Sequence, residues 1–274
     1  MFKVKRRYRD YVLCYCNNHN DNTPSLSISL RPEFYGCYRC FGCGLTGRLS
    51  SNEMKELGCE VEKNKRPVLN IDWTSLYKDY NKKLIRECPQ KITQLATLFN
   101  LDNAPTVLYD GIGWDGCSWT FPVFDSNGMC IGIQRRFEDG NKGFVSGSKI
   151  GILIDRQVVY SNQDTVFITE GISDLLSVAD LDFLVAGRIN CNTGVEELSN
   201  WLYNSMISRV VIIPDNDKVG IDGAEILQTR IILDSQSSII PTIFSIKDSG
   251  CSDIRQYIHK FGKEYVRLEL EDHV

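Results

Sequence analysis

The chain has 274 residues, of which 42% are hydrophobic and 24% charged. That is globular composition and excludes a disordered or fibrous chain. No apolar run approaches the ~18 residues of a membrane span, and the basic start Met1 to Arg7 is followed by no apolar h-region, so a cytoplasmic location with no membrane partner is expected. The net charge of −4 and the 11 cysteines both average over an uneven chain. Residues 1–50 hold eight basic and three acidic side chains, net +5, which leaves −9 for the rest. Five cysteines crowd between positions 14 and 43, and the other six are scattered singly. An odd count without a secretion signal argues against a disulfide framework.

Cys16-Asn17-Asn18-His19 is a C-x2-H pair, and Cys40-Phe41-Gly42-Cys43 is a C-x2-C pair. Two ligands two residues apart reach one ion from a tight turn, and two such pairs complete the closed tetrahedron of structural zinc. Cys14 and Cys37 compete, since Cys37-Tyr38-Arg39-Cys40 is also C-x2-C. Between the pairs, Ser25 to Leu30 alternates polar and apolar, as a half-buried strand does. Residues 1–50 therefore read as a β-ribbon zinc module. Phe34, Tyr35, Tyr38 and Phe41 interleave with Arg31 and Arg39, a mix that suits either stacking on single-stranded bases or the core of the small module.

Asp72 to Arg86 and Lys91 to Phe99 read as helices broken at Pro89, with Ile92, Leu95 and Phe99 on one face. Gly111 to Gly116 reads as a loop. Ser118 to Phe124 reads as a strand, placed at a sheet edge by Pro122. Asp125-Ser126-Asn127-Gly128 turns the chain into a return strand from Met129 to Phe137. Arg135, Arg136, Lys142 and Lys149 then form a cationic patch suited to phosphates. Residues 51–155 are expected to form this basic α+β subdomain.

From about 151 strands and helices alternate, which implies an α/β domain (156–274) with a mostly parallel sheet. Expected strands are 165–169, 183–186, 209–213 and 239–244. Expected helices are 173–181, 195–204, 223–235 and, last, 253–260. Function in such sheets sits at the carboxyl ends of the strands, where Glu170, Asp215, Asp217 and Asp248 fall, with Asp174 at the start of the following helix, one turn along from Glu170, and Asp253 near Asp248. Carboxylates gathered there call for cations, and hard oxygen ligands select Mg²⁺ or Mn²⁺.

Taken in order, these motifs resemble the bacterial and phage primases of the DnaG type. The stretch from Cys16 to Leu26 and that from Phe34 to Gly44 resemble the start and close of their zinc-binding domain, which implies Cys16, His19, Cys40 and Cys43 as zinc ligands. Trp119 to Arg136 resembles their basic subdomain and implies nucleotide or template contact at Arg136. Residues 165–253 resemble the Toprim domain, implying catalytic and metal-binding roles for Glu170, Asp174, Asp215, Asp217 and Asp248, with Asp253 a further metal ligand. The loop Cys191-Asn192-Thr193-Gly194 departs from the family's usual Gly-Thr sequence. The resemblance implies a DNA primase, a nucleotidyltransferase making RNA primers for DNA replication from ribonucleoside triphosphates on single-stranded DNA, with structural Zn²⁺ and catalytic Mg²⁺ or Mn²⁺. A helicase-binding C-terminal domain has no room after Val274 and no Walker loop occurs, so a separate replicative helicase is the expected partner. Two rivals share parts of this pattern: a zinc and Toprim scaffold similar to the RecR recombination mediator, and a Toprim nuclease.

Overall fold

The computed structural model describes residues 2–31, 34–59, 71–154, 164–236, 238–246 and 249–273. The chain divides into two compact units, Met1–Val68 and Leu69–Val274.

The first unit is a five-stranded antiparallel meander of β1 (Lys3–Arg7), β2 (Tyr11–Tyr15), β3 (Leu26–Ser29), β4 (Cys37–Cys40) and β5 (Thr46–Arg48), in that order. The alternation at 25–30 becomes β3, whose Leu26 and Ile28 are fully buried. They pack with Val12, Cys14, Cys16, Cys40, Met54, Leu57 and Cys59. Helix α1 (Ser51–Glu56) is closed by a capping box between Ser50 and Glu53, which satisfies two backbone donors reciprocally. Met54 on α1 and Leu57 just beyond it belong to this core, so residues 51–59 pack with the zinc module rather than with the later subdomain in which the sequence placed them.

The second unit is built on a nine-stranded sheet. Four parallel strands, β11 (Thr165–Glu170), β12 (Val185–Arg188), β13 (Arg209–Ile212) and β14 (Ile240–Ile243), form one part. The short β10 (Ile152–Ile154) pairs antiparallel with both β12 and β7 (Ser118–Phe124). It joins the parallel strands to the hairpin of β7 and β8 (Cys130–Phe137) and to β9 (Lys142–Phe144). One sheet and one hydrophobic core therefore run through both segments that the sequence divided at 155/156, a boundary that lies outside the described residues. Every residue of β11 is buried, as expected for a central strand covered on both faces.

Several expectations shift. The Gly111 to Gly116 loop contains β6 (Gly113–Trp114), which pairs with β7. Pro122 does not mark an edge: β7 is interior, and Pro122 falls between Trp119–Thr120, which pair with β6, and Phe124, which pairs with β10. No partner strand needs its missing N–H, and its carbonyl accepts from the Tyr109 hydroxyl at 2.8 Å. Strand β12 runs two residues later than expected. Gly187 looked like a strand end, but it is a close-packing point where a Cβ would meet Leu175 Cδ1 at 3.1 Å.

Helices α2 (Trp73–Glu87) and α3 (Gln90–Phe99) lie where the periodicity put them, and α4 (Pro105–Leu108) follows. Helix α5 (Ile172–Ala179) follows β11, and α6 (Val195–Tyr203) follows β12. Helix α7 (Lys218–Asp234) starts five residues earlier than expected. Asp217 caps it by accepting from the Gly220 amide, and Gly220 and Gly223 allow close approach of Asp215 and Cys191 rather than breaking the helix. Helix α8 (Ile254–Phe261) is followed by a further helix, α9 (Lys263–Glu271), which the sequence reading did not contain.

Candidate functional site

In the first unit, Cys16, His19, Cys40 and Cys43 bring their ligand atoms within 4.8 Å of one another. Cys16 sits just past β2 and Cys40 ends β4, so the sheet register sets one residue of each pair. The Cys16 and Cys43 sulfurs are 3.8 Å apart, and His19 Nε2 lies 3.3 Å from Cys40 Sγ. Asp21 secures the first turn, its Oδ2 accepting from the amides of Cys16 and Ser25 and from the Ser25 hydroxyl. Burial pushes the Cys40 thiol up, but the Ser25 hydroxyl, the Cys43 and Gly42 amides and His19 outweigh it and bring it down to about 6. That favours the thiolate a metal needs. At Gly42 a Cβ would stand 2.9 Å from the His19 ring, so glycine lets the turn close on the histidine without displacing it. Three thiolates completed by an imidazole, with amides on the sulfurs, fit Zn²⁺.

The competitors fall away for separate reasons. Cys14 is wholly buried in β2, and burial, reinforced by Cys59 against Arg7, pushes its thiol up to about 11. Cys37 starts β4 and is outside the group. The aromatic residues divide between both readings: Phe34 and Phe41 are exposed, Phe41 by 74%, with the Arg39 guanidinium 5.9 Å from the Phe41 ring, whereas Tyr35 and Tyr38 pack against the core.

In the second unit the carboxyl ends of the parallel strands carry the acids. Glu170 ends β11. Gly171 then turns the chain at φ +85°, a conformation that glycine adopts freely, and its amide donates to the Arg188 carbonyl at 2.7 Å. This places Asp174 in the first turn of α5. Asp215 follows β13, and Asp217 and Asp253 cap α7 and α8. Asp248 lies outside the described residues.

The carboxylates act on one another. Burial first, then Glu170, Asp253 and Asp217, push Asp215 up to about 6 against Lys142. Burial, then Asp253 and Asp215, raises Asp174 well above the carboxylate range, and its buried Oδ1 has no hydrogen-bond partner. Glu170 is raised by burial and eased by Arg188. A cation relieves mutual repulsion of this kind. Among the described residues, the zinc set alone draws three or more ligand atoms within 4.8 Å; the acids stand farther apart than that. Mg²⁺ suits such a site because it keeps waters and takes substrate oxygens.

The cationic patch divides. Arg136 and Lys142 pair across β8 and β9, so they share a face, and Lys142 Nζ reaches within 3.8 Å of the Cβ position of Gly171. Arg136 is half-buried against Phe99, and its charge acts on Asp174. Arg135 points to the opposite face, as alternate strand residues do, and its Nε lies 2.7 Å from the buried carboxylate of Asp115. Lys149 pairs its backbone with Ile131, about 17 Å along β8 from Arg136 at ~3.3 Å per residue. Arg135 and Lys149 are therefore not brought to the acids. Arg255 and Arg188 are, and the sequence reading missed both. Arg255 lies 3.9 Å from Asp253 and 5.9 Å from the Phe99 ring; its signal was its place two residues past the acid that caps α8. Arg188 is fully buried, 3.4 Å from Glu170.

Residues 1–64 match the family model of the CHC2 zinc finger of DnaG. Over 49 residues the chain is 43% identical to the DNA primases of Pasteurella multocida and Haemophilus influenzae. That stretch is 18% of this chain and 8% of each relative, so the match spans a small part of the relatives' length. The fold is similar to the zinc-binding and RNA polymerase domains of the Aquifex aeolicus primase, with a TM-score of 0.55 and 15% identity over 98% of this chain and 80% of that one. It is also similar to a DnaG primase catalytic domain bound to single-stranded DNA, with a TM-score of 0.58 and 14% identity over 73% of this chain and 77% of that one. The E. coli primase catalytic core gives a TM-score of 0.56 and 15% identity over 72% and 78%. The chain thus joins a CHC2-type zinc finger to the fold of DnaG catalytic cores. No helix among the described residues is long and apolar enough to cross a membrane.

Proposed function

We propose that the chain is a DNA primase that joins ribonucleotides into short primers on single-stranded DNA. The observation that carries this reading is the acidic edge of Glu170, Asp174 and Asp215, each raised by burial, Asp174 and Asp215 also by neighbouring carboxylates, rimmed by Arg136, Lys142 and Arg255. A scaffold similar to RecR has no need of buried acids that repel one another, and a nuclease has no evident need of the zinc module.

Glu170, Asp215 and Asp217 would hold the divalent ion, with Asp174, Asp253 and, by its position in the sequence, Asp248 as further candidate ligands. Bound Mg²⁺ or Mn²⁺ supplies Lewis-acid activation of the primer 3′-hydroxyl and charge neutralisation at the leaving pyrophosphate. Glu170, already inclined to take a proton by its burial, accepts the proton of the attacking hydroxyl. Arg136, Lys142 and Arg255 hold triphosphate oxygens, Arg136 and Arg255 by their planar forks. In the zinc module, Phe41 and Arg39 offer a stacking and cationic surface for template bases. The zinc ion itself holds the small unit folded. A separate replicative helicase is the partner expected to bring template.

The test incubates the protein with single-stranded DNA, Mg²⁺ or Mn²⁺ and labelled ribonucleotides. Newly made oligoribonucleotides that vanish in Asp215→Ala support the primase. Template cleavage in their place favours the nuclease, and binding without either product favours the scaffold.

A further inference from the structure

Arg188 ends β12 with no exposed surface, in register with Glu170 across the parallel pair. Its Nη2 lies 3.4 Å from Glu170 Oε1, and its Nη1 donates to the carbonyls of Cys191 at 2.8 Å and Gly223 at 3.2 Å. These partners sit on three segments. Glu170 ends β11. Cys191 lies in the loop that departs from the family sequence. Gly223 is in α7, the helix that follows the Asp215-Asn216-Asp217 turn. The segments are pressed together, since a Cβ at Gly223 would stand 2.9 Å from both Cβ and O of Cys191. Burying a guanidinium is costly unless its donors are paired; Nε has no partner, and the pairing made by Nη1 and Nη2 is spread over the parts that must keep a fixed relation for the acids to converge. A lysine keeps the charge but lacks the planar fork that reaches three acceptors.

We propose that Arg188 is a positioning residue: it fixes the Glu170 carboxylate relative to Asp215 and Asp217 by joining β11, the 189–194 loop and α7. The role rests on the metal-dependent reading of this site, but its test does not depend on primer synthesis.

The experiment is a double-mutant cycle of Arg188→Lys and Glu170→Gln, read first as Mn²⁺ binding by electron paramagnetic resonance without nucleotide. Arg188→Lys weakens Mn²⁺ binding at the acidic site several-fold in the wild-type background and leaves it unchanged in the Glu170→Gln background. Equal loss in both backgrounds gives Arg188 a general structural role and overturns the proposal, as does no loss in either. If the wild type makes primers, Arg188→Lys also lowers kcat several-fold with the nucleotide KM unmoved. If it makes none, the primase reading fails and the Mn²⁺ cycle still decides. Should Arg188→Lys not fold, Glu170→Gln alone carries the test by hydrogen exchange: the 189–194 amides exchange faster than in the wild type, and unchanged protection overturns the proposal.

Discussion

Lys263 Nζ lies 2.5 Å from Oδ2 of Asp180, a carboxylate whose side chain has no exposed surface. Asp180 also accepts from the amides of Asp102 and Asn103 and from Asn103 Nδ2, so one buried carboxylate ties the end of α5 to the chain after α3 and to α9. Burial opposes its charge, but Lys263 and the two amides win and hold it below the ordinary carboxylate range. Asp180→Asn removes the charge that Lys263 meets in the interior and one of the two acceptor oxygens, leaving Lys263 only Asp102 at 2.8 Å, a loss of about 3 kcal/mol. A depressed carboxylate contributes stability that is full above its unfolded value, ~3.9, and is lost as pH falls through the folded one. Lys263 is raised above 10.5, so its contribution is full below that value and is lost only as pH rises through the folded one. Urea midpoints should therefore separate wild type from Asp180→Asn at every pH between ~5 and ~9 and converge toward pH 2. A gap that survives at pH 2 assigns the loss to packing instead.

Arg135 and Arg136 are neighbours with opposite duties. Asp115, which also accepts from the Cys117 and Ser118 amides, holds Arg135 against the fold. Arg135→Ala leaves that buried carboxylate short of a partner and should cost about 2 kcal/mol with synthesis per folded molecule nearly unchanged. Arg136→Ala should do the reverse, with little change in melting temperature and a fall in kcat/KM of about tenfold or more. Melting curves beside initial rates decide it; equal loss of rate in both variants removes the assignment.

The zinc set was legible because its residues come in local pairs whose spacing is itself the geometry. The acids were legible because parallel strands place their ends at one edge. What escaped was set by tertiary pairing. Gly187 reads as a breaker until Leu175 and Leu153 are seen closing on it, so Arg188 was not assigned to a strand. Pro122 reads as an edge marker until it falls between two short partner strands. Arg135 and Lys149 read as one patch with Arg136 because composition records neither which face a residue takes nor which end of a hairpin. Helix α9 buries only Val266 and Leu270, too faint a stripe to stand out among its charges.

Asp215 illustrates a stability cost kept for a site. Its carboxyl is pushed up to about 6, so ionising it disfavours the folded state; the cost is absent below the unfolded value and complete above about 6. In buffer free of added divalent ions, Asp215→Asn should raise stability at pH 7.5 by about 1–2 kcal/mol, allowing for partial solvent screening, and by nothing at pH 3.5. Mg²⁺ should stabilise the wild type and not the variant. Thermal melts at both pH values check the sign, and a destabilised variant at pH 7.5 contradicts it.

Zinc content separates the six cysteine and histidine candidates of the first unit. Cys16→Ser, His19→Ala, Cys40→Ser and Cys43→Ser should each lose most of the metal, because removing one of four ligands opens the tetrahedron. Cys14→Ser and Cys37→Ser should keep it. Cys14→Ser still costs stability, since its hydroxyl is buried beside Leu26, its partner in β3. Gly42→Ala adds a finer test. It leaves all four ligands in place but sets a methyl 2.9 Å from the His19 ring, so the histidine must withdraw. Zinc should then bind more weakly, lost at a lower chelator concentration than in the wild type, with the three sulfurs still protected from thiol reagents while metal is present. Full zinc retention by Cys40→Ser would falsify the ligand set, whereas full retention by Gly42→Ala would show only that the turn can yield.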